Sequence, residues 1–261
     1  MNPERILNLP HAVNLRELGG YQNINNQTIK WRKLLRSGEL SRLNEHDGDI
    51  LADYGLKYDI DLRSPSEVTW SPDRVPTGTI VRSYPVYPIR DGETSDIPTN
   101  QHLQYQSHVE AMYDPYLVMV LNEHARLAFR QMFIDLLAND QENESLLFHC
   151  AAGKDRTGVA GMLIMAALQV PYRTIREDYL LTNLVYSRRD PDELRKQIAN
   201  RHANQLIQKM NSVFSVAAAS LDRAHQLIID RFGNWDHYFK EALELSETDL
   251  KDLRRIYLEK D

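Results

Sequence analysis

The sequence predicts an α/β fold, and three stretches carry that prediction. Ser145-Leu146-Leu147-Phe148 is a short apolar run bounded by polar residues, as expected of a strand buried on both faces. It passes through a glycine-bearing loop into residues 159–169, which are apolar all round and halt before Pro171, so this helix belongs at the centre of the molecule. Tyr58-Asp59-Ile60-Asp61-Leu62 reads as a second short strand, and Ser64-Pro65-Ser66-Glu67 after it has the form of a capping box with proline at the first helical position. Asp61 and Arg63 then fall near the carboxyl end of a strand, where open α/β sheets form their ligand crevices.

Residues 13–21 read VNLRELGGY; with Asn25-Asn26 and the polar–apolar alternation over residues 28–35 they suggest a short hairpin at the sheet edge. A helix over residues 45–54 has Asn44 as N-cap and Gly55 as its stop. Residues 80–86 read as another strand leading into a polar loop that contains Asp91. Residues 103–138 read as two helices divided near Asp114-Pro115. The second presents Val120, Ala125, Ala128, Met132 and Leu136 at helical spacing, a pattern whose plain reading is core packing. From Pro171 onward the pattern is helical, and Ser246-Glu247-Thr248-Asp249 caps the last segment. With no internal repeat and no linker composition, one domain over residues 1–261 is expected.

The 31 Lys and Arg against 37 Asp and Glu leave a net charge of −6 with no basic block, which argues against a nucleic-acid binder. The longest apolar run, residues 159–168, is interrupted by Gly161 and is about half the length of a bilayer span, so stable membrane insertion is not expected. The first residues lack the apolar core of a secretory signal, which makes a cytoplasmic location the default. Cys150 is the one cysteine, so an internal disulfide and a multi-thiolate metal site are excluded.

Cys150 sits where the 145–148 strand ends, and Arg156 follows six residues later in the first turn of the next helix. The unpaired N–H groups at a helix start converge on an anion, and an arginine fork matches two phosphate oxygens. The same charges favour thiolate over thiol, making Cys150 a nucleophile facing a phosphate clamp. A nucleoside-triphosphate loop fails here, because Gly153-Lys154 is followed by Asp155 and Phe148 stands where the first glycine belongs. A cysteine that merely fills core space fits poorly beside lysine, aspartate and arginine.

The run His149-Cys150-Ala151-Ala152-Gly153-Lys154-Asp155-Arg156-Thr157-Gly158 resembles the Cys-x5-Arg loop of the protein tyrosine phosphatase superfamily, and more narrowly its bacterial LipA-like, atypical dual-specificity branch. Asn14-Leu15-Arg16, the Arg36-to-Ser41 stretch, Asp61-Leu62-Arg63-Ser64 and residues 232–258 resemble the same family, in the same order. The resemblance implies a tyrosine-phosphatase-like domain with a mostly parallel central sheet flanked by helices, a helical lid at about 100–138, a phosphate loop at 149–158 and a helical C-terminal third. It implies that Cys150 attacks phosphorus while Arg156 and the amides of Ala151, Ala152, Gly153, Lys154, Asp155 and Arg156 hold the oxygens. Thr157 is a candidate donor to the departing sulfur, and His149 a support for the loop.

The general acid stays open among Asp155, which the resemblance favours, Asp61 with Arg63 orienting it, and Asp91. The competing reading of Asp61 is a structural ion pair with Arg16 or Arg63. Met112, Tyr113, Tyr116 and Met119 lie near the break of the lid. Phosphotyrosine proteins are the expected substrates, and Lys154 admits phosphoserine, phosphothreonine or phosphoinositides beside them. Inorganic phosphate is the expected product, and no cofactor or metal is implied. A phosphate-binding adaptor without activity, or a sulfur transferase, are the alternatives of other classes.

Overall fold

The computed structural model describes residues 5–7, 9–87, 114–186 and 215–260. Five strands form one sheet in the order β1-β3-β6-β4-β5: β1 (Arg16–Glu17), β3 (Leu34–Ser37), β6 (Ser145–His149), β4 (Leu56–Asp61) and β5 (Ile80–Ser83). All neighbours are parallel except β1, which runs antiparallel to β3. Ser37 pairs with His149, His149 with Asp61 and Asp61 with Ser83, so four strands end level along one rim. That rim carries Cys150 and Arg63.

Strand alternation divides the interior into two cores. Leu34, Ile60, Leu146 and Phe148 face the larger one, which is filled by helix α5 (Asp155–Ala167). Every residue of α5 from Thr157 onward is buried. Leu35 and Leu147 point the other way, into a smaller core with Leu51 of α1 (Glu45–Tyr54). Asn44 caps α1 through a reciprocal box with Asp47, and Gly55 ends it in left-handed backbone. Ser64 and Glu67 form the corresponding box at the start of α2 (Pro65–Trp70).

The remaining described helices are α3 (Pro115–Leu121), α4 (Glu123–Ala138), α6 (Tyr172–Val185), α7 (Ala218–Phe232), α8 (Trp235–Ala242) and α9 (Glu247–Tyr257), the last capped by Ser246 and Asp249. Several expectations need correction. The alternating 28–35 segment belongs to two strands: β2 (Gln27–Ile29) pairs with β7 (Leu258–Lys260), whereas β3 lies inside the main sheet instead of at its edge. A hairpin bridge does form between Gln22 and Thr28. The strand expected to reach residue 86 ends at Ser83. Residues 115–138 are two helices, because the Asn122 side chain accepts from the His124 and Ala125 amides and starts α4 afresh. Asp91 and the helix expected at 103–114, with Met112 and Tyr113, lie outside the described residues. Among the described residues, no helix is long and apolar enough to cross a membrane.

Candidate active site

The loop from Cys150 to Lys154 connects β6 to α5, and its carbonyls are held from outside. Ala151 O accepts from the Glu39 amide at 3.0 Å. Ala152 O accepts from the Tyr186 hydroxyl at 2.6 Å. Gly153 O accepts from Asn14 Nδ2 at 2.8 Å and an Arg36 guanidinium N–H at 3.3 Å. In a trans peptide the N–H points opposite to the C=O, so fixing these three carbonyls outward turns the amides of Ala152, Gly153 and Lys154 toward the concave side. Gly153 is required at its position: its φ is +64°, and a Cβ there would stand 2.4 Å from Ser37 O.

Helix α5 begins without a side-chain cap. Lys154 occupies the cap position with φ −115° and ψ −63°, outside the extended backbone from which a side chain reaches forward to the first amides. The helix start therefore presents its N–H groups to the loop's concave side, beside Cys150. Burial pushes the Cys150 thiol up, but the Arg156 charge and the Thr157 hydroxyl and amide outweigh it and bring it below its ordinary value. The buried Thr157 hydroxyl makes no other hydrogen bond among the described residues, which leaves it for the sulfur.

Arg156 is fixed by a residue that the sequence reading placed only in a helix cap. Its two terminal nitrogens donate to the two oxygens of Glu67, each at 2.7 Å. Glu67 also accepts from the amide and hydroxyl of Ser64, so one carboxylate both closes α2 and aligns the arginine. Burial raises the Glu67 carboxyl, yet Arg156 and Ser64 prevail and hold it at about 2. The Tyr87 ring lies 5.6 Å from the Arg156 guanidinium and forms an aromatic wall beside it.

Beneath the loop, His149 is buried among Asp59, Asp61 and Asp73, with Nε2 at 3.2, 3.9 and 3.3 Å from their oxygens. Burial lowers the His149 imidazole, but Asp59 and its neighbours raise it well above its ordinary value. Both oxygens of Asp61 accept from the Arg63 guanidinium, at 2.7 to 3.1 Å, and Asp61 also accepts from the Arg63 amide. Of the two partners considered for Asp61, the ion pair forms with Arg63, while Arg16 pairs with Asp178. Asp59, Asp73 and His149 offer three ligand atoms within 4.8 Å of one another, a spacing a metal ion could bridge. Arg63, however, already donates to Asp73 at 2.6 Å and brings its positive charge into the cluster. The group is thus an ion-pair network that ties the ends of β4 and β6 together.

Asp155 stands in a different setting. It is the first residue of α5, and its side chain is 40% exposed on the loop's open side. Tyr116 Oη donates to Asp155 Oδ1 at 2.5 Å, and Lys154 Nζ lies 3.6 Å from Oδ2. A second buried network, unforeseen in the sequence, backs the loop from the far side: Asp178 of α6 accepts from Arg16 at 3.2 Å and from Arg36 at 2.7 Å. Those two guanidinium charges overcome burial and hold Asp178 at about 2. The clue to this network was present in Asn14-Leu15-Arg16 and Arg36, charged residues in apolar stretches that needed a buried acid; the sequence does not say which acid.

Comparison with known proteins places this geometry in context. A model described as the tyrosine phosphatase family matches residues 7–259. The chain is 29% identical over 245 residues to a candidate tyrosine-protein phosphatase of Cupriavidus necator, covering 94% of this chain and 85% of that one. It is 31% identical over 148 residues to a tyrosine-protein phosphatase of Nostoc commune, covering 57% of this chain and 47% of the other. It is 27% identical over 283 aligned positions to the triple specificity protein phosphatase PtpB of Mycobacterium tuberculosis, covering 96% and 98%.

Proposed function

We propose that this chain, which belongs to the tyrosine phosphatase family, hydrolyses phosphomonoesters through a phosphocysteine intermediate. The observation that carries the proposal is the uncapped start of α5, with the lowered Cys150 thiol and the Glu67-aligned Arg156 at the same place. The inward amides of the loop and the Arg156 guanidinium hold the equatorial phosphoryl oxygens, where transition-state charge spreads. Cys150 Sγ attacks phosphorus in line and the bond to the leaving oxygen breaks, with Asp155 supplying its proton. Water then attacks phosphorus, Asp155 takes a proton from it, and the S–P bond breaks as the Thr157 hydroxyl donates to the departing thiolate.

Asp155 is chosen over Asp61 because it is exposed on the open side, whereas Asp61 is buried with both oxygens on Arg63. Asp61, Arg63 and His149 support the loop from below. Tyr87 gives phosphotyrosine an aromatic wall, which phosphoserine and phosphothreonine cannot use, so they are the slower substrates. Residues 1–261 act as one catalytic unit, with α3 and α4 as the described part of a helical cover. The purified chain should hydrolyse aryl phosphates without added metal. Cys150→Ser should lose at least about 10^4-fold in turnover while still binding phosphate; robust turnover by that variant would sink the mechanism. A phosphoinositide reading has one observation in its favour, the Lys154 ammonium at the loop rim, and assays on phosphopeptides and phosphoinositide vesicles separate the two.

A further inference from the structure

Tyr116 and Tyr179 lie close to the reacting groups, and neither has a role in the mechanism above. Tyr116 is on α3 and Tyr179 on α6; both are almost fully buried, their rings meet edge to face at 87°, and their hydroxyls are 2.6 Å apart. A carboxylate only accepts, so the Tyr116 proton goes to Asp155 Oδ1 and the Tyr116 oxygen accepts from Tyr179. Burial raises both phenols, which keeps them protonated and fixes the direction of this chain of hydrogen bonds.

The donor is itself held in place. Asp114 caps α3 by accepting from the Tyr116 amide, and its carboxylate pairs with Arg223 of α7 at 2.6 Å. At the other end of α3, Tyr238 of α8 donates to Val120 O at 3.1 Å. Gly158 makes the room for Tyr179, since a Cβ there would stand 2.8 Å from its ring. Elements far apart in sequence thus fix one oxygen of a half-exposed carboxylate, while Lys154 stands 3.6 Å from the other.

We infer that Tyr116, oriented by Tyr179, is the positioning residue for the general acid: it occupies Asp155 Oδ1 and fixes the carboxyl so that Oδ2, 3.6 Å from Lys154 Nζ, carries the transferred proton. The inference rests on Asp155 as the acid. Its consequence is a leaving-group effect, because a badly placed acid matters most when the departing oxygen is a poor leaving group.

The test compares kcat/KM for an aryl phosphate with a strongly acidic phenol and for an alkyl phosphate, using wild type, Tyr116→Phe, Tyr179→Phe and Asp155→Asn. Tyr116→Phe should lose about 10-fold or more on the alkyl phosphate and no more than about 2-fold on the activated aryl phosphate, with inhibition by inorganic phosphate unchanged. Tyr179→Phe should show the same pattern more weakly, and Tyr116→Phe should add nothing in the Asp155→Asn background. Equal losses on both substrates, or none, would overturn the inference and reduce the pair to packing. If Asp155→Asn discriminates by leaving group and neither tyrosine variant does, the positioning role fails while the acid assignment stands. If Asp155→Asn itself does not discriminate, the acid assignment and the inference fall together. Phenylalanine preserves both rings, and Tyr179→Phe decides the matter if Tyr116→Phe does not fold.

Discussion

Strands β4 and β6 lie side by side and parallel, with Asp61 opposite His149, and each gives way to a helix within a few residues. After β4 the chain closes the new helix with its own side chains: Ser64 accepts from the Glu67 amide, Glu67 accepts from Ser64, and Pro65 brings no N–H. After β6 the chain does the opposite. The cap residue Lys154 lies in helical backbone, no side chain among the described residues caps α5, and the loop carbonyls are bound from outside. The same strand–loop–helix plan thus yields a closed helix start that supports and an open one that, under the proposed function, receives an anion. The two are linked, since the carboxylate that closes α2 also grips the arginine at the head of α5.

Variants that break this division should rank by how directly they touch the open start. Arg156→Lys removes the two-pronged contact with phosphate and with Glu67, and kcat/KM should fall by about 10^2- to 10^3-fold in steady-state assays. Asp178→Asn acts behind the loop, leaving Arg16 and Arg36 buried without their counter-ion, and should destabilise the fold by about 3 kcal/mol in denaturant titration at neutral pH. The Asp178 and Glu67 carboxyls are both held at about 2, below their ordinary 3.8 and 4.5. Their contribution to stability is therefore complete above about pH 4.5 and is lost as pH falls toward 2. Asp178→Asn should flatten that acid slope, a result readable from melting temperature against pH.

Glu67→Gln keeps the shape of the α2 start but loosens Arg156. Because the Glu67 side chain is a third exposed, only about 1 kcal/mol of stability should go with it. The expected cost in kcat/KM is about 10-fold, with most of it in kcat, since the arginine is still present but less well aligned. A loss no larger than that of a variant on the distant α9 surface would remove Glu67 from the link between the two helix starts.

The reactive loop was legible because its parts are contiguous: Cys150, Gly153 and Arg156 sit within seven residues, and backbone geometry alone forces them together. The helix caps at Asn44, Ser64 and Ser246 were legible for the same reason, each being a contact over three residues. Glu67 on Arg156, Asp178 on Arg16 and Arg36, and Tyr116 on Asp155 join residues 39 to 162 positions apart, and no local pattern encodes such pairings. The break at Asn122 was hidden by apolar residues on both sides that keep helical spacing across it. The inner position of β3 was hidden because Leu34 and Leu35 serve opposite cores, so alternation suited to an edge strand and a strand buried on both faces looked alike.

The most direct test of the open helix start as a covalent site is mass spectrometry of the Cys150 peptide from enzyme acid-quenched during turnover of an aryl phosphate. A phosphocysteine mechanism predicts a phosphoryl adduct on Cys150 that accumulates with substrate and is absent from Cys150→Ser. Turnover with no adduct on that peptide, or with the phosphoryl group on another residue, would contradict it.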